Sequence, residues 1–232
     1  MKGSDYLEKF EPLFYLNLLG YKFGVTESLL FQWILIAIIS IIAIISTRNL
    51  NKVPNRKQSV VEIVVETFNS LVRENMGEGY SAFVPYIGTL AIFLLSMNLL
   101  GLFGLKPPTL DFSVVAGLAL ISFVVVQVNA IKKIGMGHYF GGYFKPFAAL
   151  LPLNLVERFM LPISLTLRLF GNMTAAFVVM EMVYGALGHL GWIAQIGIPV
   201  PLHAYFDVFD GTIQMVIFMM LTMVNIKIIA DH

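Results

Sequence analysis

Arg168 stands inside LPISLTLRLFGNMTAAFVVM, an apolar run with no acidic residue between Glu157 and Glu181. A cation at bilayer depth costs about 2.5–3.5 kcal/mol on insertion scales. Arginine cannot escape that cost by losing its proton. Its chemistry is therefore electrostatic. A fixed cation repels a passing cation and favours the ionised form of a carboxylate beside it.

Other polar side chains are spaced around it. Asn154, Glu157 and Arg158 precede it, and Glu157 lies about 15 Å away along a helix. Glu157 and Arg168 are three turns apart and share a face, with Asn172 one turn beyond. Glu181 follows about 20 Å further and projects to roughly the opposite side. On the next apolar segment Asp207, Asp210 and Gln214 follow i, i+3, i+7 spacing, and Asn225 continues the stripe.

The elements that must hold these groups are membrane helices. Apolar residues make up 58% of the 232-residue chain and charged residues 12%. Soluble domains average about 25% charged. The composition is that of an all-α integral membrane protein with one membrane domain. The net charge of +1 gives no sign of nucleic-acid binding, and the absence of cysteine excludes disulfides and thiolate metal sites. The twelve methionines read as packing residues. MKGSDYLEKFEPLF lacks a cleavable signal pattern, so the first apolar segment is expected to remain as a helix.

Residues 29–46 are expected to form the first transmembrane helix. In 58–76, Glu62, Glu66, Ser70 and Arg73 fall on one face and Ile63, Val64, Phe68 and Leu71 on the other, which predicts an amphipathic helix in the interface. Residues 83–131 read as a transmembrane hairpin turned at KPPTLD. Within 150–230, each apolar segment exceeds the bilayer core of about 30 Å, so a long, strongly tilted helical hairpin is expected, bent at Pro162. GALGHLGWIAQIGIPVP links its two arms.

Lysine and arginine set the orientation. With an outside N-terminus, the inner side holds Arg48, Lys52, Arg56, Lys57, Arg73, Lys132, Lys133, Lys145 and Lys227. The outer side holds Lys2, Lys9, Lys22 and Lys106. The C-terminus is then cytoplasmic, and Arg168 lies near mid-membrane. Glu157 and Asn154 are candidates for an inner polar pocket. Glu181 and Asp207, with Asp210, are candidates for an outer one. Acid, fixed cation, acid is the pattern of two aqueous dead ends that a mobile carrier on another chain must connect.

LPISLTLRLFGNMTAA resembles the signature of subunit a of the rotary F-type ATP synthase membrane sector. The resemblance extends through FVPYIGTLAIFLLSMNLLGL, PTLDFSVVAGLAL and QMVIFMMLTMV. It implies that Arg168 is the family's essential arginine, that Asn172 is its companion, and that Gln214 approaches it from the last helix. Pro162 and Ser164 fit the approach to the motif. The resemblance also implies a stator subunit beside a ring of c subunits, with the b-subunit peripheral stalk and the remaining synthase subunits as further partners. Such a subunit is not an enzyme by itself and needs no cofactor. Ions pass through two half-channels to and from ring carboxylates, and both H+ and Na+ remain open as the transported ion.

The chain departs from the family pattern at the outer side. The usual acid position is Phe177, and Glu181 stands one turn later. Asp207 occupies the position where some members carry histidine. His138, His189 and His203 are expected in connecting segments or at helix edges. Asp111 reads as a turn or helix-start residue. The N-M-T at Asn172 matches a glycosylation sequon, but its depth excludes that use. A secondary transporter would usually show an internal repeat, and none is visible. A self-contained channel would conduct as a lone chain. No G-x-x-x-x-G-K-[ST] loop is present, which disfavours a nucleotide-binding enzyme.

Overall fold

The computed structural model describes residues 14–18, 21–48, 50–142, 151–188 and 197–231. Lys2, Lys9, Lys145 and His189 lie outside the described residues.

A two-stranded antiparallel hairpin comes first, β1 (Phe14–Leu18) against β2 (Tyr21–Val25), pairing Phe14 with Val25 and Leu18 with Tyr21. It is an addition to the all-α expectation. The helices follow: α1 (Glu27–Thr47), α2 (Arg56–Met76), α3 (Val84–Asn98) and α4 (Phe112–Ile134). Short 3-10 segments, Glu78–Phe83 and Leu99–Phe103, extend α3 at both ends. After α5 (Met136–Gly142) comes α6 (Leu151–Leu187). The last arm is α7 (Pro199–His203), a π-helical segment (Ala204–Asp210) and α8 (Gly211–Asp231).

Five of the described stretches are long and apolar enough to cross a membrane: Glu27–Thr47, Glu78–Phe103, Phe112–Ile134, Leu151–Leu187 and Pro199–Ala230. The chain is a multi-pass membrane protein. In hydrocarbon every backbone polar group must be satisfied internally, which favours helices. Polar side chains in these helices turn back onto their own backbone. Thr166 donates to Pro162 O at 2.8 Å, Thr222 to Phe218 O at 2.8 Å and Asn225 to Leu221 O at 2.7 Å. At 37 residues, α6 is about 55 Å long. Pro162 lies inside it, and the helix continues beyond.

Helix ends are set by local chemistry. Asp111 caps α4, accepting from Ser113 N at 2.9 Å, as its helix-start reading requires. Gly135 closes α4 with φ +85°, its N–H reaching Ile131 O at 2.9 Å. The loop from α1 to α2 is held by Gln58, which accepts from Asn51 N and donates to Asn51 O.

α4 packs against both α6 and α8, and α3 packs against α8. One apolar cluster joins Val72 and Met76 of α2 to Ile87, Ala91, Val126, Ala130, Met223 and Ile226. A second joins Leu94, Met97, Val115, Ala119, Leu165, Leu169, Met173 and Phe218. α2 divides along its length: Phe68 and Leu71 pack on the bundle, while Val60, Ile63, Val64 and Val65 stay exposed. That exposed apolar row fits a helix in the interface. Charged Glu62 and Glu66 share the exposed stretch.

One set of large apolar side chains stays exposed among the described residues. On α6 it includes Val156, Phe159, Met160, Ile163, Leu167, Val178 and Val179, and on the last arm Tyr205, Phe209, Ile213 and Val216.

Candidate functional site

Arg168 lies on the exposed side of α6, between Leu167 and the buried Leu169. Among the described residues it makes no hydrogen bond or ion pair. Leu165 and Leu169 anchor its helix in the core, so backbone packing sets the position of the cation. Gln214, buried on α8, lines one small crevice with Arg168, Leu165, Leu169 and Phe218. The two side chains expected to approach each other therefore border the same space. Gln214 Nε2 also donates weakly to Asp210 Oδ1 at 3.4 Å. Asn172 is exposed one turn along α6 from Arg168.

The remaining α6 candidates are dispersed. Glu157 is exposed and Asn154 half-buried near the start of the helix. Glu181 is exposed toward the other end. No bond joins Glu181 to Asp207 among the described residues.

Asp207 is buried inside the π-helical segment. Its Oδ2 sits 2.6 Å from His203 Nδ1, and His203 Nε2 sits 3.0 Å from the Tyr184 hydroxyl on α6. His203 is indeed at a helix edge, but it is bonded into the site. The four-residue spacing of His203 and Asp207 places them on one helical face, a signal visible in the sequence.

The wall behind Asp207 is glycine. A Cβ on Gly101 would fall 2.7 Å from Asp207 Cγ, far inside contact distance. Only a residue with no side chain admits the carboxylate there. One turn before it, buried Asn98 donates to Gly211 O at 2.9 Å. Asn98 Cβ would lie 3.0 Å from a Cβ on Gly211, so the backbones cross closely here too. Asn98 Oδ1 is buried with no hydrogen-bond partner among the described residues. Asn98 and Gly101 were missed by the sequence reading; a lone amide and a glycine three residues apart in the charge-free SMNLLGL were the available sign. The π segment accommodates an extra residue in its turn, a feature frequent at functional sites.

No group of three or more histidine and carboxylate side chains could hold a metal ion among the described residues.

These features define a polytopic helical membrane protein with a permanent cation that is exposed and has no ion pair among the described residues. The model of the ATP synthase A chain family matches residues 29–227, and the chain belongs to that family. It is similar to the sodium ion specific ATP synthase subunit a of Propionigenium modestum, 33% identical over 223 residues covering 89% of this chain and 75% of that one. It is also similar to ATP synthase subunit a of Moorella thermoacetica, 34% identical over 195 residues covering 84% and 86%. The subunit a of Geotalea daltonii is 34% identical over 214 residues, covering 90% of each chain. The chain is thus a membrane subunit of the ion-translocating sector, working in a complex with other synthase subunits.

Proposed function

We propose that this subunit is the stator ion channel of a rotary synthase, with two offset half-channels separated by Arg168. Its exposed apolar side chains on α6 and α8 take a ring of c subunits. Each ring carboxylate is neutral against lipid, because desolvation disfavours its charged form. Beside Arg168 it ionises, since an adjacent cation favours the anion. Asn172 and Gln214 flank the cation on α6 and α8. Glu181, Asp207 and Asp210 serve the outer half-channel, and Glu157 and Asn154 the inner one. The ion, H+ or Na+, enters by one path and leaves by the other after the ring has turned. The peripheral stalk of b subunits holds the stator still. The N-terminus lies outside and the C-terminus in the cytoplasm.

The observation that carries this reading is an exposed arginine that has no ion pair among the described residues. An arginine that served stability alone would be paired within the chain, because an unpaired charge is costly in lipid. Its partner is therefore a carboxylate that arrives and leaves. Arg168→Ala should abolish ATP-driven ion pumping in the assembled complex, with membrane insertion unchanged. Full pumping by that variant contradicts the proposal.

A further inference from the structure

We infer that Tyr184, His203 and Asp207 form a proton relay that makes the outer path of this chain selective for protons. The inference rests on the half-channel reading above and names the ion it carries.

The bonding order follows from donor chemistry. An ionised Asp207 can only accept, so His203 Nδ1 donates to Oδ2 across 2.6 Å. A neutral imidazole then has a lone pair at Nε2, and the Tyr184 hydroxyl donates to it across 3.0 Å. The three groups make an unbroken line from an exposed phenol on α6, through a half-buried ring, to a buried carboxylate. Transfer along it is balanced. Water outside gives a proton to the Tyr184 oxygen as the phenolic proton passes to Nε2. The Nδ1 proton passes to Oδ2, leaving Asp207 neutral and the ring in its other tautomer. Once Asp207 has passed its proton on, the half-buried ring returns to its starting tautomer by exchange with water, losing a proton at Nε2 and gaining one at Nδ1. Asn98 Oδ1, buried on the helix that carries Gly101 and without a hydrogen-bond partner among the described residues, is an acceptor for the water that takes the proton onward.

A sodium ion cannot follow this line of three groups. It cannot pass through a covalent ring, and Gly101 is packed against the carboxylate. The other titratable groups on the packed elements are Glu181 on α6, Tyr205 and Asp210 on the π segment, and Lys106 after the 3-10 turn. None is bonded to His203 among the described residues.

The test uses the whole complex in vesicles, with the soluble sector stripped and proton and sodium conduction measured across pH. His203→Gln keeps an amide that can bond Asp207 but cannot shuttle a proton. It should lower proton conduction at least tenfold. Tyr184→Phe should lower it severalfold. Proton conduction equal to the parent in His203→Gln, while Arg168→Ala still blocks pumping, overturns the relay and leaves the arginine reading standing. Sodium conduction through the parent complex at the proton rate also overturns it. Assembly is checked by co-purification of the ring, so that a variant that fails to assemble is replaced by His203→Asn.

Discussion

At the scale of single residues, the site depends on how charge and space are matched. Arg168 is held at its depth by Leu165 and Leu169, not by an ion pair. Asp207 is held by the reverse arrangement, with a glycine wall behind it and a histidine in front. Gly101→Ala introduces a carbon 2.7 Å from Asp207 Cγ, so the carboxylate must leave the position in which it bonds His203. Coupled proton pumping should fall at least tenfold while the purified complex keeps its subunits. The loss of one charge-assisted hydrogen bond, worth about 1.5–3 kcal/mol, is enough for that factor. Parental pumping by Gly101→Ala would show that Asp207 has room to relocate. The polar residues themselves were legible in the sequence: Arg168, Gln214 and Asp207 stand out among apolar neighbours. His203 was not read as a participant, although its spacing to Asp207 is helical, because a histidine beside a glycine- and proline-rich linker reads as surface. Asn98 was not read because one amide in an apolar helix carries no sign of what it meets.

At the scale of elements, the π segment decides which way the acids face. Counting at 3.6 residues per turn places Asp207, Asp210 and Gln214 on one stripe. In the structure Asp207 packs against Gly101, while Gln214 lines the crevice with Arg168. The extra residue lets α7 and α8 run on while presenting polar groups in two directions. Deleting exposed Val208 should convert the segment to regular α-helix and so close the wide turn that carries Asp207 against Gly101. Helical content by circular dichroism should stay the same and coupled transport should be lost; retained coupling would show that the π segment has no role in aiming the acids. The helices themselves were legible because their physics is local. A helix expected at 29–46 is found at Glu27–Thr47, and one expected at 58–76 is found at Arg56–Met76. The hairpin β1–β2 was not legible, since a short mixed segment of five-residue strands has no hydrophobic period long enough to declare itself. The π segment was hidden for another reason: nothing in AYFDVFD distinguishes i+5 from i+4 bonding before the neighbouring helix is in place.

At the scale of the whole molecule, a packed centre is surrounded by helices that keep large apolar side chains exposed. α3, α4 and α8 bury each other, while α6 and the last arm turn apolar side chains outward around a cation. The orientation is open to direct test because the chain has no native cysteine. A cysteine replacing Lys52 should react with an impermeant maleimide only from the cytoplasmic side, and one replacing Lys106 only from outside; the opposite pattern would invert the assignment of the two half-channels. The central claim is that Arg168 is a barrier that a rotating partner must carry ions around. The most direct measurement is ion flux through the complete complex carrying Arg168→Ala, recorded with ATP and, after the soluble sector is stripped, under an imposed ion gradient. The account predicts no ATP-driven pumping together with a passive leak faster than that of the parent, because the fixed charge no longer separates the two paths. Intact pumping with no added leak would contradict it.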